Sequence, residues 1–380
     1  MQNFDSEAFV RQYWQKKPCL LRNAIADFET SISPEELAGL ACEDDVHCRL
    51  VMQTGAEPPW TLRYGPFQES DFLDLPESNY SLLVSECEKW LPELSELLDQ
   101  FRFLPDWRID DLMISYAPPG GSVGPHVDQY DVFLLQAMGS RRWLYNETPA
   151  RGDEAIIPGL ELAILEDFRP EVDVTLHPGD ILYLPPGHAH HGIALDACMT
   201  YSIGFRAPSA DTVLESFVLE SERLGAFERY RDPDLETGRH HAEITDREIE
   251  RLRAMTQRLL EQSPELWRDA VGKMLSDSPV SMPEADSNQP VYLSDLQACG
   301  WIRHPETRLL YHRSGESIEV YYNGNMHRLP DNGEMLRQLQ KLCEHHEWSV
   351  DLMRESIRFE ALRDLLLELA TQHAILPYNE

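Results

Sequence analysis

Basic side chains are scarce in this chain: 33 Lys and Arg stand against 66 Asp and Glu in 380 residues, a formal net charge of −33. Nucleic-acid binders gain most of their affinity by neutralising phosphate, and anionic membrane surfaces attract cations in the same way, so both are excluded as direct partners. A macromolecular partner, if there is one, is expected to be basic. Long apolar runs are missing as well. None approaches the roughly 18 residues that cross a bilayer, and Met1 to Asp5 carry neither a basic region nor an apolar stretch, so a cytoplasmic protein without an export signal is expected. The seven cysteines (Cys19, Cys42, Cys48, Cys87, Cys198, Cys299 and Cys343) are scattered, odd in number and without a C-x-x-C pair. That excludes a paired disulfide framework and a zinc ribbon, and leaves reduced, inert thiols.

What the chain does have is a core. Its apolar content is 42%, with 8 Trp, 14 Tyr and 13 Phe, and at about 100 to 200 residues per domain the length implies two or three domains. Composition divides it at Ala207-Pro208-Ser209 and at the polar, Pro-bearing stretch Ser276 to Pro290. Residues 1–208 begin with a helix around Phe9, Tyr13 and Trp14 that stops at Lys17-Pro18. A second helix follows Ser33, which can cap it, with Pro34 at its first position. Short strands then dominate: Val132 to Leu135, Ile181 to Leu184 and Thr200 to Phe205 are each bounded by turn residues. This pattern predicts a barrel or sandwich rather than a doubly wound sheet.

Residues 209–285 read as amphipathic helices. Leu214, Phe217, Val218 and Leu224 fall at helical spacing before a stop at Gly225, and a Thr245/Glu248 capping box precedes Ile249, Leu252, Met255, Leu259 and Leu260. Helices this few need another surface, either a second copy of the chain or its neighbouring domains. Residues 286–380 predict a helix near Leu293 to Cys299, strands at Leu309 to Tyr311 and Ile318 to Tyr322, a hairpin turn at Asn323-Gly324, and two final helices. The first of these carries Leu336, Leu339 and Cys343. The second carries Leu352, Ile357, Leu362, Leu366 and Leu369. Helices plus a hairpin suggest a winged-helix-like unit, but its 15 acidic and 9 basic side chains argue against DNA binding.

The chemistry concentrates between Asp111 and Trp143. A strand ends near Ser115-Tyr116, a Pro- and Gly-rich loop follows, and His126-Val127-Asp128 places an imidazole and a carboxylate on one side of an extended chain. These make two thirds of a facial triad of the kind that holds non-haem Fe(II) with open positions. H-x-D alone is a weak signal. A second cluster, Pro185-Pro186-Gly187-His188-Ala189-His190-His191, offers the third ligand. His190 is preferred, with His188 and His191 as alternatives that spacing does not separate, while His177 reads as a turn residue. Finally, Arg141-Arg142 opens a strand in a segment with 34 acidic and only 14 basic side chains. Alternation turns one of the two inward, where a buried guanidinium needs an anion such as a dicarboxylate.

These motifs together, with Leu104 to Ser115 and Tyr201-Ser202-Ile203-Gly204-Phe205-Arg206-Ala207-Pro208, resemble the JmjC-type Fe(II)- and 2-oxoglutarate-dependent ribosomal oxygenases along the whole chain. The resemblance implies a cupin-like double-stranded β-helix, or jelly roll, with N-terminal helices in 1–208. It implies a helical dimerisation region in 209–285, hence a homodimer, and a winged-helix-like domain in 286–380. It implies His126, Asp128 and His190 as iron ligands, and Arg141 with Ser115 as the grip on the remote carboxylate of 2-oxoglutarate. No separate catalytic residue is expected. The implied reaction is hydroxylation of an arginine side chain of large-subunit ribosomal protein number sixteen. His188 and His191 depart from the family pattern. Two other readings stay open from the residues: an oxygenase acting on another basic protein by histidine hydroxylation or demethylation, and a cupin-like scaffold whose two His and one Asp hold zinc or nickel without turnover.

Overall fold

The short, continuous apolar runs of the first 207 residues fit strands covered on both faces better than strands with one wet face. The computed structural model describes the chain apart from residues 2–3, 56–58, 92, 224–226, 236–241, 262–263, 278–290 and 379–380. It divides into two compact units, Met1–Ala207 and Pro208–Glu380. The first contains β1 (Cys19–Leu21), β2 (Cys48–Gln53), β3 (Trp60–Tyr64), β4 (Tyr80–Val84), β5 (Ile109–Ala117), β6 (His126–Val127), β7 (Asp131–Met138), β8 (Arg141–Tyr145), β9 (Val172–Leu176), β10 (Ile181–Leu184), β11 (Ala189–Ala194) and β12 (Cys198–Phe205). A large sheet runs β1-β10-β7-β12-β5-β4-β2-β3 and a small one β6-β11-β8-β9. Pairing is antiparallel throughout. From β5 to β12 the chain winds back and forth between the two sheets, which is a jelly roll.

Alternation along the central strands explains the two cores. Phe133, Leu135, Ile181, Tyr183, Ile203 and Phe205 face the helical side of the large sheet and join one buried cluster. It also takes in Phe9 of α1 (Ser6–Gln12), Leu37 of α2 (Pro34–Leu40) and Leu94 of α4 (Leu94–Asp99), with Phe72 of α3 (Glu69–Leu73) at its edge. Val132, Leu134, Leu182 and Leu184 point the other way, toward Trp143, Tyr145 and Leu176 of the small sheet. The Ser33 cap forms a full capping box with Glu36. The first helix is shorter than predicted: it ends at Gln12, and the Tyr13 N–H closes on the Phe9 carbonyl. Trp14 then leaves the helix to stack on Tyr183, with ring centroids 5.6 Å apart.

The second unit holds α5 (Ala210–Glu222), α6 (Asp246–Glu261), α7 (Pro264–Ser276) and α8 (Leu293–Ala298), then β13 (Gly300–Arg303), β14 (Leu310–Ser314), β15 (Ser317–Tyr322) and β16 (Asn325–Pro330). It ends with α9 (Gly333–Glu344), β17 (Glu347–Trp348), α10 (Val350–Ser356), α11 (Glu360–Thr371) and β18 (Ile375–Tyr378). Two three-stranded sheets result, β17-β13-β18 and β14-β15-β16. Asn323 and Gly324 both take positive φ, 44° and 71°, between β15 and β16. Phe217 of α5 packs on Trp267 of α7, centroids 4.2 Å apart, and α7 lies so close to β15 that a Cβ on Gly272 would sit 2.4 Å from the Tyr321 ring. The last predicted helix is two: Ser356 turns its hydroxyl back to the Leu352 carbonyl, and Phe359 is extended, φ −89° and ψ 115°. Gly225 and most of the predicted linker, 278–290, lie outside the described residues. No helix among the described residues is long and apolar enough to cross a membrane.

One buried carboxylate ties the first unit together. Asp131, fully buried, accepts from Tyr183 Oη at 2.6 Å, Gln15 Nε2 at 2.9 Å and Arg108 Nη2 at 2.9 Å. Arg108 also donates to the Arg206 carbonyl at 2.6 Å. Burial first, and Asp131 second, push the Tyr183 phenol up, so it stays protonated and donates. Removing one partner of a buried charge pair strands the other. Asp131→Ala is therefore expected to lower stability by about 3–5 kcal/mol, and Gln15→Ala by about 1 kcal/mol, measured by urea unfolding of the full chain.

Candidate metal centre

The loop before β6 is shaped by close backbone approach. A Cβ on Gly121 would stand 2.1 Å from the Tyr80 carbonyl, and Gly124 holds φ at +83° against Ile164. These glycines let the loop fold down so that β6 can pair with β11. The register sets His126 directly opposite His190, and Val127 opposite Ala189. The two imidazoles face each other with centroids 4.2 Å apart. Asp128, two residues beyond His126, places Oδ2 3.8 Å from His126 Nε2 and 3.5 Å from His190 Nε2.

Each imidazole is oriented by its far nitrogen. His126 Nδ1 donates to the Gly124 carbonyl and His190 Nδ1 to the His188 carbonyl, both at 2.9 Å. That leaves both Nε2 atoms aimed at one point. Burial, and then His126, hold the His190 imidazole well below its ordinary range, so it is neutral and its lone pair is available. One ligand atom from each of His126, Asp128 and His190 lies within 4.8 Å of the others, and among the described residues no other group of three His, Cys, Asp or Glu does so. The donor set suits a divalent transition metal with open positions. Tyr130 lies close to Asp128, and burial first, then that carboxylate, push its phenol up.

The alternative histidines sit elsewhere. His188 is buried with Nδ1 3.2 Å from the Pro185 and Pro186 carbonyls and Nε2 3.2 Å from that of Glu147. His191 reaches the Ser122 hydroxyl at 2.9 Å, and burial followed by His126 lowers it to about 4. His177 lies in the turn after β9, 3.2 Å from Ser140 Oγ.

A cavity of about 320 Å³ opens over the centre between the two sheets, and Arg141 and Ser115 line it with the His126, Asp128 and His190 side chains. Arg142 turns outward and pairs with Asp173 through two contacts, 2.8 and 2.5 Å. Arg141 turns inward and is 6% exposed. Its Nη1 donates to Ser115 Oγ at 3.5 Å, while Nε and Nη2 are buried without a hydrogen-bond partner. Native proteins rarely bury a guanidinium this way, so the two vacant donors mark a place for an anion.

Asp111 and Met113, on the strand that carries Ser115, were not singled out in the sequence. Asp111, Met113 and Ser115 alternate along β5 onto one face, and Met113, Tyr130 and Ser202 line the cavity. Burial, then Asp110 and Glu86, raise the Asp111 carboxyl to about 6, and burial raises Glu88 to about 8. Reading β5 backwards in steps of two from Ser115 would have found this face.

An unpaired buried cation costs stability until its anion arrives. Arg141→Met is expected to stabilise the ligand-free protein by about 1–3 kcal/mol in urea unfolding, and to abolish the extra stability that an added small dicarboxylate gives the wild type.

Comparison with known proteins places the chain in a family. Residues 96–213 match the family model described as the JmjC domain. The chain is 41% identical over 324 residues to the Ribosomal protein uL16 3-hydroxylase of Escherichia coli, covering 83% of each chain. It is 33% identical over 386 residues to a Probable ribosomal oxygenase of Haemophilus influenzae, covering 92% of this chain and 93% of that one. Among solved structures, YcfD, a ribosomal oxygenase from Escherichia coli in complex with cobalt and 2-oxoglutarate, superposes with a TM-score of 0.82 at 34% identity over 98% of both chains. Likeness of that extent, in sequence and in fold, makes this chain a member of the JmjC-domain ribosomal oxygenases.

Proposed function

We propose that the protein is an Fe(II)- and 2-oxoglutarate-dependent oxygenase that hydroxylates an arginine side chain of large-subunit ribosomal protein uL16. The observation that carries the reading is the pair of vacant donors on buried Arg141, in the same cavity as two imidazoles and a carboxylate. A scaffold that only held metal would have no use for that inward cation. His126, Asp128 and His190 are the iron ligands in this reading. Arg141 and Ser115 hold the remote carboxylate of 2-oxoglutarate, Arg141 through the fork that matches a carboxylate and Ser115 through its hydroxyl. Bound Fe(II) supplies the activation of dioxygen that couples decarboxylation of 2-oxoglutarate, to succinate and CO₂, with insertion of oxygen into a C–H bond. The protein's own work is to orient both reactants and exclude water. The apolar walls Val132, Leu134 and Trp143 do the latter.

Two features support an arginine target. The acidic excess is greatest in residues 1–208, where the net charge is −20, which suits capture of a basic protein apart from its RNA. At the site, Asp111 continues the face of Met113 and Ser115, close enough to Tyr130 to affect its ionisation. A substrate guanidinium drawn to Asp111 would lie with its aliphatic stem along Met113 and Tyr130, and so present methylenes to the metal centre. We assign residues 1–208 as the catalytic domain, 209–285 as the contact of a homodimer and 286–380 as a winged-helix-like domain. The apolar residues that α5 and α6 leave exposed, Leu214, Val218, Leu219, Ile249 and Leu252, fit that contact.

The direct test is mass spectrometry of uL16, or its arginine-bearing peptides, after incubation with enzyme, Fe(II), 2-oxoglutarate and O₂. One added oxygen on an arginine is expected, lost in His126→Ala and Arg141→Ala; no added oxygen, or oxygen on a histidine, overturns the reading. Asp111 supplies a second test. Its carboxyl is raised, so it is charged above about pH 6 and neutral below it. KM for a cationic peptide is expected to rise as pH falls through about 6, and Asp111→Asn to raise KM at pH 7.5 by about 30-fold or more while removing that pH dependence.

A further inference from the structure

His191 stands beside a proposed metal ligand, yet the cavity is lined by His190 and not by its neighbour. Its ring instead contacts Phe168 edge-on, centroids 6.4 Å apart, and its Nε2 meets Ser122 Oγ at 2.9 Å. Ser122 is buried, 4% exposed, and the same hydroxyl oxygen accepts the Gly124 N–H at 3.0 Å. The Gly124 carbonyl receives His126 Nδ1 at 2.9 Å. Four residues therefore form one chain of hydrogen bonds, from His191 through Ser122 and Gly124 to His126.

Backbone chemistry gives that chain its importance. Gly124 precedes Pro125, so the peptide whose carbonyl orients His126 has no N–H and no bond of its own to hold it. Gly124 also sits at φ +83° without a Cβ, so no side chain of its own fixes its peptide planes. Elsewhere the loop is fixed to strands: Gly120 and Gly121 exchange bonds with Ala194, the Pro125 carbonyl accepts from Leu165, and the Asp128 carbonyl from Gly187. Between Gly121 and Pro125, Val123 packs against the cluster around Ile164, while Ser122 supplies the side-chain hydrogen bond to the Gly124 N–H and His191 is the side chain bonded to Ser122.

We propose that His191 is a positioning residue of the metal centre, setting the orientation of the His126 imidazole through Ser122 and the Gly124 carbonyl. It rests on the reading of His126 as a ligand. It also gives a role to one of the two histidines that the sequence set apart from the family pattern. His191 touches neither metal nor substrate; its effect is on how well His126 Nε2 is aimed, and so on metal affinity and geometry before any turnover.

The test is Co(II) binding to the full-length protein, by calorimetry and by the visible absorption of bound Co(II). Ser122→Ala and His191→Leu are each expected to weaken binding about 10-fold and to alter the spectrum. The double variant should bind no more weakly than Ser122→Ala alone, and His191→Gln, whose amide can still meet Ser122, should recover most of the loss. Ser122→Ala removes a single oxygen, so it carries the test if His191→Leu fails to fold. Unchanged affinity and spectrum in both single variants, or losses that add in the double variant, overturn the proposal while leaving the ligands intact. Failure of the wild type to bind Co(II), or full binding by His126→Ala, overturns the ligand reading and this one with it.

Discussion

The pairing of β6 with β11 is only two residues long, and the candidate centre depends on it. It sets His126 opposite His190 and leaves Asp128 to follow from the next turn of the chain. Two rungs of a ladder do not hold a strand unaided. The surrounding loop makes up the difference with bonds from Gly120, Gly121, Pro125 and Asp128 to neighbouring segments. These bonds fix the irregular backbone on either side of the two-residue strand.

Within this frame the electrostatics are uneven. A protein with a net charge of −33 keeps a guanidinium with two unpartnered donors in the cavity at Arg141, while along β5 burial raises the Asp111 carboxyl. On the proposed reading, a small anion meets Arg141 and a cationic side chain meets Asp111, on two sides of the candidate centre. The apolar residues between them keep water from screening either charge.

Much of this was legible in the sequence because it depends on periodicity and on residue type. Strand positions, the Ser33 cap, the inward turn of one member of the Arg141-Arg142 pair and the hairpin at Asn323-Gly324 follow from alternation and turn chemistry. Spacing could not choose among His188, His190 and His191, because that choice rests on register with β6, a contact between segments 64 residues apart. Asp111 and Met113 escaped notice for a related reason: no motif marks them, and only the strand's phase does. The split between α10 and α11 escaped too, since it lacks the Pro or Gly that usually signals a break.

The place of β12 in the large sheet has a consequence for how the protein is made. It is the last strand of the jelly roll to leave the ribosome, yet it lies between β5 and β7 in the middle of the sheet. Until residue 205 has been synthesised, β5 and β7 each present an unpaired edge. Translation must therefore deliver nearly the whole first unit before its central contacts can form, so folding is a late, non-local event rather than a growing one. An interrupted or slowed chain would expose its most apolar strands for that whole interval.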